Sequence, residues 1–84
     1  METRVAVISI IIENPESVQA MNELLHEYSE YVIGRMGIPY RQRGINIISI
    51  AIDAPQDAIS TLSGKIGKLK GVSSKVAYST VGKK

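Results

Sequence analysis

Shifted by 40 residues, the chain overlays on itself. Val5 falls on Ile45, Val7 on Ile47, Ile8 on Ile48, Ser9 on Ser49, Ile10 on Ile50, Ile12 on Ile52 and Pro15 on Pro55. Further on, Val32 falls on Val72 and Arg35 on Lys75. A period of this length marks one supersecondary unit used twice. Each copy opens on a β-branched run, VAVISIII at 5–12 and INIISIAI at 45–52, apolar at both parities as in a central strand. A helix start follows each run. Asn14 is the expected N-cap of the first helix, with Pro15 in its first turn, and Asp53 caps the second with Gln56 as capping-box partner. Val18, Met21, Leu24, Leu25, Tyr28 and Tyr31 recur at helical spacing, as do Ala58, Ile59, Leu62, Ile66 and Leu69. Gly71 is the expected stop of the second helix, with Lys65, Lys68 and Lys70 at its negative end. A further strand closes each copy, a weaker edge-type one at 31–38 and one at 72–79, and 39–44 reads as a turn.

The order is β-α-β-β-α-β, which predicts an α+β, ferredoxin-like fold. Its four-stranded antiparallel sheet has the order 4-1-3-2, so the two most apolar strands lie in the middle. The right-handed crossover rule puts both helices on one face. With 84 residues, the chain is one domain over 1–84, with a core of about 4–79 and a frayed tail at 80–84. A domain this small hides only about 60–65% of its unfolded surface, so a lone monomer has modest stability.

Composition then removes whole classes of function. There is no Cys, so thiolate zinc, iron–sulfur and redox sites are excluded, and one His cannot build a multi-histidine metal site within a chain. No cofactor is implied. The longest apolar run, 5–12, falls far short of the roughly 20 residues of a membrane span, and no signal-peptide pattern precedes it. A cytoplasmic protein is expected. The net charge of +2 conceals a division. Residues 1–34 carry six acids against one base, and residues 35–84 carry nine bases against two acids. Such a dipolar surface suits self-association or docking of a partner protein in a fixed orientation.

The sheet face away from the helices is the informative one. Ala6, Ile8, Ile10 and Ile12, with Asn46, Ile48, Ile50 and Ile52, form the bulkier set and belong beneath the helices. The opposite side then carries Val5, Val7, Ser9 and Ile11 with Ile45, Ile47, Ser49 and Ala51. A solvated sheet face alternates to polar or charged residues. An uncharged apolar one marks an interface. A homo-oligomer, dimer or tetramer, is therefore expected through Val5, Val7, Ser9, Ile11, Ile45, Ile47 and Ser49.

Motifs with chemical meaning are few. Gly34-Arg35-Met36-Gly37 matches the GxxG of KH modules, but there the loop joins two helices, whereas here it falls in or beside a strand and reads as a bulge or bend. RRM-type RNA binding needs aromatics on the central strands, and Val, Ser, Ile and Ala stand there. His26 lies mid-helix as a surface or interface residue, and Glu16, Glu23, Glu27 and Glu30 form a solvated helix face. No catalytic triad, carboxylate pair or phosphate loop can be assembled, and acylphosphatases, which share the topology, place a phosphate-binding Arg where Glu13–Ser17 stands here. The chain is expected not to be an enzyme. Arg35, Arg41 and Arg43 cluster with Tyr40 at the hairpin, where guanidinium forks suit carboxylate or phosphate. A ligand site, if present, falls at the first strand–helix loop, on Glu13, Asn14 and Ser17, with Arg41 or Arg43 of the same or a neighbouring chain offsetting the acids. The alternative has these arginines pairing with first-helix glutamates across an interface.

Four segments carry a family likeness: NELLHEY at 22–28, IGRMGIPYR at 33–41, NIIS at 46–49 and LSGKIGKLKGV at 62–72. Through them the chain resembles the small iron-only hydrogenase system regulators, and the likeness spans most of residues 4–79. The resemblance implies a fold like that of ACT domains and the C-terminal domain of the nickel-responsive repressor, both ligand-sensing modules that oligomerise. It implies a regulatory role in the [FeFe] hydrogenase system. Two positions depart from those relatives. Glu16 stands where amino-acid-binding ACT domains carry a Gly, and His26 alone stands against the several His and a Cys of the nickel site. No ribbon-helix-helix or helix-turn-helix precedes residue 4, so no direct DNA binding is expected, and regulation is expected to act on another protein.

Overall fold

The computed structural model describes residues 2–80 and has seven elements. Strand β1 is Arg4–Ile12, helix α1 is Ser17–Glu27, and a single 3-10 turn is Ser29–Tyr31. Strands β2 (Val32–Tyr40) and β3 (Ile45–Ala54), helix α2 (Gln56–Gly67) and strand β4 (Val72–Tyr78) follow. The sheet is antiparallel with the order β2-β3-β1-β4, which is the ferredoxin-like arrangement expected from the repeat. The 40-residue shift also has a geometric meaning. Ser9 and Ser49 are repeat equivalents, and they are direct cross-strand partners in the β1–β3 ladder. The two-fold axis relating the halves therefore passes between them.

Alternation along the central strands divides the sheet. Ala6, Ile8, Ile10 and Ile12 of β1 and Ile48, Ile50, Ile52 and Ala54 of β3 are buried under the helices. Met21, Leu24 and Leu25 of α1 and Ile59, Leu62 and Ile66 of α2 close the core, with Val18, Tyr28, Ala58 and Leu69 partly buried beside them. Beyond the core, Arg4 lies 4.2 Å from the centre of the Tyr78 ring and donates to Gln56 Oε1 at 2.7 Å. Gln56 Nε2 in turn donates to the Tyr78 hydroxyl and to Ser60 Oγ. These contacts tie β1, α2 and β4 together at one end of the sheet.

Several boundaries differ from expectation, each for a physical reason. Helix α1 begins at Ser17 with Glu16 at its N-cap, because Asn14 Oδ1 accepts the Glu16 N–H and closes a turn before the helix. The pairing of Arg4 with Ala54 and Val5 with Asp53 holds β3 extended through Ala54, so Pro55 and not Asp53 is the N-cap of α2. Gln56 is spent on Arg4, Ser60 and Tyr78 and forms no capping box. Tyr31 belongs to the 3-10 turn, and β2 runs on through Pro39 and Tyr40, which an edge strand tolerates because its outer N–H groups need no partner. Helix α2 stops at Gly67, and Gly71 instead turns the chain into β4 at φ +70°. The expected tail falls chiefly on 81–84, which lie outside the described residues.

Candidate functional site

Three regions of the surface carry the residues singled out above. The first is the open sheet face. Val5, Val7 and Ile11 of β1 are exposed, and Ile45, Ile47, Ser49 and Ala51 of β3 are half-buried beside them. Strand β2 adds Met36, Ile38 and Tyr40, all exposed, through their pairing with Ser49, Ile47 and Ile45. The face is thus wider than β1 and β3 alone, and its two charged positions lie away from its centre: Lys75 on edge strand β4 and Asp53 near the end of β3.

The second region is the end of the sheet where β1 leaves for α1. The polar groups there are held by the loop itself. Ser17 Oγ, in a buried side chain, donates to the Lys70 carbonyl at 2.6 Å, the Glu13 N–H donates to the Gly71 carbonyl at 2.7 Å, and Asn14 bonds Glu16. Arg41 and Arg43 sit in the exposed β2–β3 turn at this same end, since Ile12 pairs with Asn46. No side-chain hydrogen bond or ion pair joins either arginine to Glu13, Asn14 or Ser17 among the described residues.

The third region was not expected as a site. A groove of about 310 Å³ opens between α1 and β2, lined by Asn22, Leu25, His26, Ser29, Val32, Arg35 and Ile50. A second hollow of about 220 Å³ adjoins it, sharing Asn22 and Arg35 and reaching Gly37 and Pro39. Arg35 Nη2 donates to Asn22 Oδ1 at 3.3 Å. The cause is a β-bulge. Val32 pairs with Ile52 and Gly34 with Ala51, so Ile33 is an extra residue. A one-residue slip exchanges the two faces of a strand. Past the bulge Arg35 pairs with Ile50 on the helix side, while its repeat equivalent Lys75 pairs with Ser9 on the open side. The helix side of β2 is consequently Arg35, Gly37 and Pro39, where β4 presents Ser74 and Val76. Past the bulge, β2 sends no large apolar side chain into the space below α1. That poverty of apolar side chains was one available signal, and the Gly34–Gly37 pattern, read as a bulge or bend, was the other; the pairing places the bulge at Ile33. Among the described residues, no cluster of three or more His, Cys, Asp or Glu side chains could hold a metal ion.

Comparison with known proteins follows this geometry. A family model described as "TM1266-like: Iron-only hydrogenase system regulator, putative" matches residues 4–76. The solved structure of TM1266 from Thermotoga maritima is 33% identical, with a TM-score of 0.88, and the match covers 92% of this chain and 98% of that one. An ACT domain from the GTP pyrophosphokinase of Chlorobium tepidum shares the fold at 21% identity, with a TM-score of 0.63 over 95% of this chain and 90% of that chain. A "Putative nickel-responsive regulator" of Saccharolobus solfataricus is 24% identical over 66 residues, which are 79% of this chain and 49% of the relative. The chain thus spans about half the length of the curated relatives it matches. No helix among the described residues is long and apolar enough to cross a membrane.

Proposed function

This chain belongs to the TM1266-like family of iron-only hydrogenase system regulators, and from that premise we propose that it is a non-enzymatic regulatory module. It works as a homo-oligomer that senses a small ligand or docks a partner protein. The observation that carries the reading is the open sheet face. Six large apolar side chains, Val5, Val7, Ile11, Met36, Ile38 and Tyr40, stand exposed on one side of one sheet. A self-complementary contact between two such faces, the same patch on both subunits, buries all of them at once. It also supplements the small core of an 84-residue domain. Sedimentation equilibrium at tens of micromolar is expected to give a dimer or tetramer. A monomer under those conditions overturns the assembly.

The partner is a protein and not DNA. Among the described residues the bases are scattered over the β2–β3 turn, the end of α2 and single positions on β1, β2 and β4, while α1 is acidic. Among the described residues they form no single cationic surface to follow a phosphate backbone. Duplex DNA is expected to show no salt-sensitive mobility shift at physiological salt, and such a shift would contradict the reading.

A further inference from the structure

The loop expected to bind a ligand spends its polar groups internally, whereas the groove between α1 and β2 leaves its own groups free. From this contrast we infer that the groove is a binding site for a small aliphatic carboxylate, held at its anionic end by Arg35. The inference rests on the ligand-sensing reading and says where and what the ligand is.

Four features of the groove converge. The first is the unspent guanidinium. Arg35 has five N–H donors, and its single side-chain bond is the long one to Asn22. Glu23 accepts from Gln19 at 3.3 Å and Glu27 lies 3.8 Å from Lys65, and among the described residues no ion pair joins Arg35 to these acids or to Glu30. A planar guanidinium fork without a carboxylate partner is the side chain best matched to a bidentate carboxylate. Second, Asn22, His26 and Ser29 lie on one face of α1 and the turn after it, and they line the same groove as Arg35. They add hydrogen-bonding groups around the anion. Third, the floor is apolar. Leu25 and Ile50 belong to the buried core, and Val32 packs against it. This floor suits a hydrocarbon body, which inorganic phosphate lacks. Fourth, the adjoining hollow reaches Gly37, where an added Cβ would meet no atom within 4 Å. The volume of about 310 Å³ lies at the small end of the range of ligand pockets, roughly 300–1,000 Å³. The bulge at Ile33 ties these features together. Bulges re-aim side chains near sites, and without this one Arg35 would lie on the apolar open face.

The test is a titration of the isotope-labelled full chain with isovalerate, followed by amide chemical shifts, with inorganic phosphate at matched ionic strength as comparison. Saturable shifts are expected in the millimolar range at Asn22, His26, Val32 and Arg35, and not at 13–17. R35Q is expected to weaken binding about tenfold or more, as loss of a charge-assisted pair predicts. Arg35 is exposed, so the variant keeps its fold. G37L, which puts bulk into open space, is expected to block isovalerate while leaving Arg35 in place. R41Q is expected to bind as wild type does. Absence of saturable shifts, wild-type affinity in R35Q, or phosphate binding as tightly as isovalerate overturns the site. Sedimentation of the same samples separates the two readings. An oligomer that ignores isovalerate removes the site and keeps the assembly, and a monomer that binds it keeps the site and removes the assembly.

Discussion

Gly71→Ala is expected to lower stability by about 2–5 kcal/mol, enough to remove much of what a domain of this length has. Two costs add. Gly71 sits at φ +70°, where an L side chain costs about 1–2 kcal/mol. Its new Cβ would also lie 2.6 Å from Asn14 Cβ and 3.0 Å from the Asn14 nitrogen. Overpacking of that kind costs about 1–3 kcal/mol. The clash has no easy escape, because the Glu13–Gly71 and Ser17–Lys70 hydrogen bonds clamp the two segments together. Gly44 supplies the control. It has nearly the same backbone, φ +68°, with nothing within 4 Å of an added Cβ, so Gly44→Ala carries the first cost alone. Thermal denaturation is expected to place Gly71→Ala roughly 10–30 °C below wild type and Gly44→Ala well above it. Asn14→Gly is expected to restore part of the loss in the Gly71→Ala background and none in the Gly44→Ala background. Equal melting temperatures for the two alanine variants would show that the close approach to Asn14 does not matter.

Val7→Lys is expected to dissociate the assembly while leaving the subunit folded. Val7 is already 39% exposed in the subunit, so the ammonium remains solvated there and the core beneath is untouched. In a face-to-face contact the same charge would be buried among apolar side chains: its neighbours in the ladders are Ala51 and Ala77, and the one acid of the face, Asp53, lies near the end of β3. A buried unpaired charge costs about 3 kcal/mol or more, which weakens association at least about 100-fold. Gln19→Lys, on the solvent side of α1, adds the same charge and is expected to change nothing. Sedimentation velocity of the three proteins decides. Wild-type association in Val7→Lys would move the interface off the sheet.

The fold was legible because two signals agree over long stretches. The 40-residue repeat announces one unit used twice, and the parity of VAVISIII and INIISIAI separates the core residues from the open-face ones. Both signals are carried by many side chains, so no single local preference overrides them. The site was less legible because it turns on one residue. Sequence overlay puts Arg35 on Lys75 and leads to one shared orientation for the pair, yet Ile33 is an extra residue in the β2–β3 ladder and sends them to opposite faces. The glycines at 34 and 37 signalled a bulge or bend, but which residue is the extra one, and so which face Arg35 takes, is a fact of pairing between two strands. The helix starts failed on the same ground. Asn14 and Asp53 are good caps by type, but a local turn claimed the first and the β1 ladder the second.

The two-fold axis between Ser9 and Ser49 bears on how copies find each other. A face with such symmetry offers an approaching copy two docking poses, half a turn apart, that central residues such as Val7 and Ile47 cannot tell apart. The centre departs from this symmetry chiefly where Ile11 has Ala51 as its equivalent, and the flanks differ more widely. Met36, Ile38 and Tyr40 make one side greasy and bulky, while Ser73, Lys75 and Ala77 make the other small and cationic. In the proposed assembly, register between subunits is therefore expected to be decided chiefly at the outer strands. Exchanging the character of those strands, and leaving the centre alone, is expected to turn the proposed pairing half a turn round.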